Sequence, residues 1–235
     1  MGAGGGVRAP WLEASAMSAR ENDAEPRVGL VAPDVAEEFP ALRLRHLELE
    51  ARTGRSSRGV KHRLKDMSSR FRGPQAVAMR QEPIPWAYRV FYRHIGLDPD
   101  ADRTPVEQAA VQRLIQGAFR SHNRLDDALL IALVETGVPI WALDSATVDG
   151  ALSIRLTGTA ERLGRGARAP ALVSGRLVVA DERSPLAVLF GDLAPDHGVT
   201  SHTTRMTLFT VQVQGVPEIH VEEALYTCVA ILTEE

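Results

Sequence analysis

Apolar and polar residues alternate along Ala41–Glu50 (ALRLRHLELE), where Leu42, Leu44, Leu47 and Leu49 are interleaved with Arg43, Arg45, Glu48 and Glu50. A two-residue period puts apolar side chains on one face of a strand, and the pattern slips by one position near His46. Arg27–Ala32 (RVGLVA) is a short apolar strand candidate, and a helical turn follows Pro33 and Asp34. From Ser56 to Phe71 the period changes: Val60, Leu64, Met67 and Phe71 recur at helical spacing, which predicts an amphipathic helix. Tyr88, Phe91, Tyr92 and Ile95 form another helical stripe, stopped by Gly96.

Thr104-Pro105-Val106-Glu107 is a helix start, with a capping hydroxyl, a proline at the first position and a capping-box glutamate. The inward residues expected of that helix are Val111, Leu114 and Ile115. A further helix is expected from Asn123 to Glu135, with Leu125, Leu129, Ala132 and Leu133 inward. From Ala151 onward strands dominate, in ALSIRLT, GRLVVAD, PLAVLF and RMTLFTVQVQ, before a closing helix that buries Val221, Ala224, Leu225, Cys228, Val229 and Leu232. Strands and helices mix without strict βαβ alternation. The expected fold is therefore α+β, layered around an irregular mixed sheet or sandwich core flanked by helices.

With 235 residues, 44% hydrophobic and 24% charged, the chain has the composition of an ordinary globular protein. One well-buried domain over 27–235 is expected, after a disordered leader over 1–26 in which Met17 is an alternative start to Met1. No apolar run approaches the ~20 residues of a membrane span, and the single cysteine excludes an internal disulfide. A cytoplasmic location fits. The net charge of -3 conceals a basic segment: Arg55, Arg58, Lys61, Arg63 and Lys65 lie within the predicted amphipathic helix or just before it. Such a face suits a phosphate backbone, or is simply solvated.

Candidate chemistry concentrates in two stretches. Ser121–Gly158 carries Asn123 and Asp126, the turn Gly137-Val138-Pro139, Trp141 and Asp144; Asp192–Thr204 carries His197, Gly198, His202, Thr203 and Thr204. His197 or His202 would supply a base or a hydrogen-bond donor near neutral pH. The Asp126-Asp127 pair sits in a helix's first turn, where capping accounts for it. Trp141 is a stacking wall or a core plug. No short metal-ligand spacing is present, so neither a metal nor a cofactor is expected.

In order, an Asn…Asp helix, Gly-x-Pro, the Asp144 loop, the strand Leu152 to Leu156, Leu177 to Asp181, Gly191 and the Thr203-Thr204 pair resemble the tRNA-editing B3/B4 domain of the bacterial phenylalanyl-tRNA synthetase beta chain. The resemblance covers roughly Val28 to Leu232. It implies a free-standing tRNA-binding domain that hydrolyses mischarged aminoacyl-tRNA in trans, or a non-catalytic module holding tRNA or a free amino acid. It implies no ligase activity, because the chain is too short for a synthetase core. On this resemblance His202, Thr204 and His197 are the catalytic candidates, and Asn123, Asp126, Trp141, Asp144, Gly198 and Thr203 the pocket. Two positions depart from the pattern: Trp141 stands where that domain has a histidine, and Gly198 where it has a glutamate. Both remove polar groups that would position water and substrate.

Overall fold

A computed structural model describes residues 24–71 and 73–234. The leader expected over 1–26 lies almost wholly outside them. The fold is α+β. Strands β1 (Arg27–Val28), β3 (Arg43–Glu50), β8 (Arg205–Gln212) and β4 (Trp141–Asp144) form an antiparallel sheet in the order β1-β3-β8-β4. Strands β2 (Leu30–Val31), β5 (Ser153–Leu156), β6 (Leu177–Ala180) and β7 (Pro185–Val188) form a mixed sheet in that order, with β2 and β5 parallel. The helices are α1 (Pro33–Glu38), α2 (Arg58–Arg70), α3 (Gly73–Ala78), α4 (Pro83–His94), α5 (Pro105–Gln116), α6 (Arg124–Thr136) and α7 (Glu218–Thr233).

The strand expected over Arg27–Ala32 is divided between the two sheets. Gly29 donates its N–H to Leu44 O at 2.8 Å, while Leu30 donates to Leu152 O at 2.9 Å. A Cβ at Gly29 would lie 2.7 Å from Leu44 Cδ2 and 2.9 Å from the Leu152 carbonyl oxygen, so the sheets can approach only where a side chain is missing. The slip near His46 is also resolved. Pairing of β3 with β8 runs without interruption from Arg43↔Gln212 to Glu50↔Arg205. Leu44 therefore faces opposite to Leu47 and Leu49, and all three are buried because both faces of the strand are covered.

Two helices turn differently from their apolar patterns. In α5 the buried positions are Val106, Glu107 and Ala110, whereas Leu114 and Ile115 are exposed and Val111 is half-buried. The inward face is set by an ionic cluster. Glu107 Oε1 accepts from Arg89 Nη1 at 2.6 Å and from Arg80 Nε at 2.7 Å, and its Oε2 accepts from the Thr104 hydroxyl and N–H. In α6 the buried residues are Leu125, Asp127, Ala128, Ile131, Ala132 and Thr136; Leu129 and Leu133 are half-buried. Helix α7 packs against α6 and across β8 and β3, burying Cys228, whose thiol burial pushes up to about 12.

The hairpin joining β6 to β7 is held by Asp181. Its carboxylate accepts the N–H groups of Asp149, Arg183 and Ser184 at 2.9, 2.8 and 2.8 Å, and pairs with Arg165. Burial alone would raise its pKa, but these donors outweigh it and hold the carboxyl below the usual range. A carboxyl whose pKa is depressed by folding stabilises the native state above its unfolded value of about 3.9, and that stability is lost as pH falls through the folded value. Asp181→Asn is therefore expected to be less stable at neutral pH and to show a flatter stability profile below about pH 4. Urea titrations at a series of acidic pH values measure this; parallel profiles for the two proteins would contradict it.

Candidate functional site

One concavity begins at the turn the sequence singles out. Helix α6 ends at Gly137 with φ of 74°, the left-handed region, and a Cβ there would press on Ile84 Cγ2 at 3.1 Å. The Thr210 hydroxyl donates to Pro139 O at 2.7 Å and fixes the entry into β4. Trp141 opens that strand, with its indole stacked on Phe209 at a centroid distance of 5.6 Å and an interplanar angle of 15°. Phe190 lies 5.8 Å from Trp141 and also meets Tyr88, Phe91 and Tyr92. Among the described residues it is one of two non-glycine residues with positive φ, at 58°, a conformation that costs roughly 1–2 kcal/mol and is retained because four aromatic rings hold the side chain.

Trp141 and Phe190 wall a cavity of about 510 Å³ between α5, α6 and the loop joining them. Leu129, Leu130 and Leu133 supply its apolar floor; Arg103, Arg113, Arg120 and His122 line it with charge or potential charge, opposed by Asp126. A hollow of this size, apolar at its base with a few convergent polar groups, has the character of a small-ligand site. Trp141 thus stacks on Phe209 and also lines the hollow.

The other predicted site residues divide into two groups. Asn123 caps α6, accepting the Asp126 N–H at 2.9 Å and donating Nδ2 to the Asp126 carboxylate at 2.7 Å, so Asp126 is oriented at the cavity wall. Asp127 is fully buried and accepts from Ser56, Ser121 and the His122 N–H, which makes it a tie between loops as well as a first-turn anion. Asp144 stands at the far end of β4. Its carboxylate accepts from Thr203 Oγ1 at 2.6 Å and from the Ala146 N–H at 3.0 Å, while its own N–H donates to His197 O at 2.9 Å. Gly198 bridges to Leu143. Asp144, His197, Gly198 and Thr203 therefore come together, but away from the residues lining the Trp141 cavity. Residues 141 and 144 point to opposite faces of one strand.

His197 is buried, its Nδ1 is 2.9 Å from Asp196 Oδ1, and its Nε2 has no hydrogen-bond partner. Asp196 is held below the usual carboxylate range: burial opposes this, but the Arg165 N–H and His197 prevail. His202 and Thr204 are both exposed. The His202 N–H donates to Thr200 Oγ1 at 3.2 Å, and the Thr204 carbonyl accepts from Ala51.

Helix α2 presents Arg58, Lys61 and Lys65 to solvent, with Arg55 exposed just before its cap, Ser57. Arg63 is instead tied to Glu135 by a two-pronged ion pair, one prong being Nε to Oε1 at 2.9 Å. Two hydrogen bonds bind this helix to residues lining the cavity, Phe119 N–H to Ser68 Oγ at 2.8 Å and Arg113 Nη2 to Ser68 O at 2.6 Å, and a third joins the Arg124 N–H, at the start of α6, to Gly54 O at 2.8 Å. The sequence reading missed Phe190, Arg103, Arg113, Arg120 and His122. Only Phe190 left a signal, as a bulky residue beside Gly191 in a turn.

No protein-family model matches the chain. Over 116 residues, 48% of this chain, it is 34% identical to the phenylalanine–tRNA ligase beta subunit of Colwellia psychrerythraea, of which the match covers 14%. Over 96 residues, 40% of this chain, it is 32% identical to the same subunit from Psychrobacter arcticus, covering 12% of that protein. The chain thus contains a region similar to a phenylalanine–tRNA ligase beta subunit and spans a small part of the length of these relatives. Among the described residues no helix is long and apolar enough to cross a membrane.

Proposed function

We propose that the protein binds the 3′ end of tRNA, with the terminal adenosine or its aminoacyl group in the Trp141 cavity and the backbone along α2. The observation that carries this reading is the direct hydrogen bonding of a basic helix to the walls of an aromatic cavity. The regional likeness to a tRNA ligase subunit supports the same partner. A tRNA partner implies a cytoplasmic location. Hydrolysis of a mischarged aminoacyl ester is a second reading, and the Asp144–Thr203–His197 cluster favours it. Binding without turnover takes precedence, since that cluster does not line the cavity and Trp141 offers no proton acceptor.

The two readings separate in one experiment. The purified protein is mixed with tRNAs mischarged with tyrosine, alanine or serine, and both retention and deacylation are followed. Retention without deacylation is expected, and Trp141→Ala should weaken it about tenfold, as loss of one stacking contact does. Deacylation abolished by Thr203→Val would favour the hydrolase. Absence of tRNA binding at low salt would remove both.

A further inference from the structure

The Trp141 cavity has a neighbour. A second hollow of about 360 Å³ shares Arg103, Gln108, Gln112 and Phe190 with it, so the two adjoin. Their chemistries differ. The first is lined by Leu129, Leu130, Leu133, Trp141 and Phe190, with Arg113, Arg120, His122 and Asp126 as its polar groups. The second is lined by Arg103 and Arg176, with Asp102 as its carboxylate and the two glutamine side chains at the boundary. Arg103 and Arg176 come from distant parts of the chain, are both exposed, and have no ion-pair partner among the described residues. Two arginines without ion-pair partners lining a hollow beside one with leucines and an indole suit a ligand that is apolar or aromatic at one end and anionic at the other.

The geometry points to a phosphate subsite at Arg103 and Arg176, serving the phosphate of a nucleotide whose base or aminoacyl group occupies the Trp141 cavity. This rests on the reading that the Trp141 cavity takes the terminal adenosine. Phe190, held in the left-handed region, lines both hollows, so it stands where a base in one and its phosphate in the other would adjoin. The same phosphate chemistry is offered by a free nucleotide and by an RNA end, and the arms of the test distinguish them.

Calorimetry of the full chain with adenosine, 5′-AMP and a short RNA ending in CCA is the test. The wild-type protein is expected to bind AMP at least about tenfold more tightly than adenosine, since charge-assisted bonds to phosphate are the strong ones. In Arg103→Ser/Arg176→Ser that preference should vanish, and in Arg176→Ser alone, at a residue outside the lining of the Trp141 cavity, it should fall while adenosine binding persists; both side chains are exposed, and an unchanged melting temperature confirms the fold. Tighter binding of the RNA than of AMP assigns the phosphate to an RNA end, and equal binding assigns it to a free nucleotide. Equal affinity of the wild type for AMP and adenosine, failure to bind either, or an AMP preference that survives the double substitution would overturn the subsite. If tRNA is bound while AMP and adenosine are not distinguished, the subsite alone falls. If AMP is preferred but tRNA is not bound, the subsite stands and the tRNA reading falls.

Discussion

Glu107→Ala is expected to destabilise the protein by about 3–5 kcal/mol, the range found when one partner of a buried ion pair is deleted. The glutamate is 2% exposed and Arg89 is 5% exposed. Without Glu107, the Arg89 guanidinium keeps Asp100 at 2.6 Å but loses the partner that shares its burial. Arg80 loses its 2.7 Å contact, and the first turn of α5 loses the acceptor for Thr104. Chemical denaturation should show a lower midpoint at an unchanged slope. An apolar pair, Glu107→Met with Arg89→Met, should recover much of the loss, because desolvation of both charges is then removed. A single-variant loss below about 1 kcal/mol would mean that Asp100 alone satisfies Arg89.

Affinity for tRNA should fall steeply with salt. Contacts from Arg55, Arg58, Lys61 and Lys65 to four phosphates would weaken binding about a hundredfold between roughly 50 and 200 mM salt. Replacing Arg58, Lys61 and Lys65 with serine should make the logarithmic slope shallower by roughly 0.7–0.9 per residue removed. Arg63→Ser is the internal control: its guanidinium is occupied by Glu135, so the slope should not change. Nitrocellulose retention across a salt series gives both numbers. A flat salt response in the wild-type protein would make α2 a solvated face with no part in RNA binding.

Much of the local structure was legible. Thr104 announces a helix start through its capping chemistry, a helix does begin at Asn123, and Gly96 and Gly137 follow helices with positive φ. The two-residue period of β3 and the Gly-x-Pro turn before β4 were equally plain. The site was legible only in part. Asp126 and Trp141 line one cavity, with Asn123 hydrogen-bonded to Asp126, and Asp144, Gly198, Thr203 and His197 lie together at the other end of β4. That these are separate places follows from strand parity combined with which face each neighbour covers, and the second term has no local signature. The exposed Leu114 and Ile115 show the same limit, since periodicity identifies a stripe but not what lies across from it.

Read alone, the amino-acid order determined the α+β class, the helix caps, the Gly-x-Pro turn, the basic segment and the regional resemblance. These depend on backbone preferences and spacing within a few residues, which act before any long-range contact forms. Tertiary structure decided that Arg27–Val31 serves two sheets, that Glu107 is a buried ionic hub, that Arg63 is occupied, and that Phe190 lines one hollow with Trp141 and another with Arg176. Each of these is set by a partner tens of residues away. Burial and charge pairing belong to the packed neighbourhood, and no local pattern carries them.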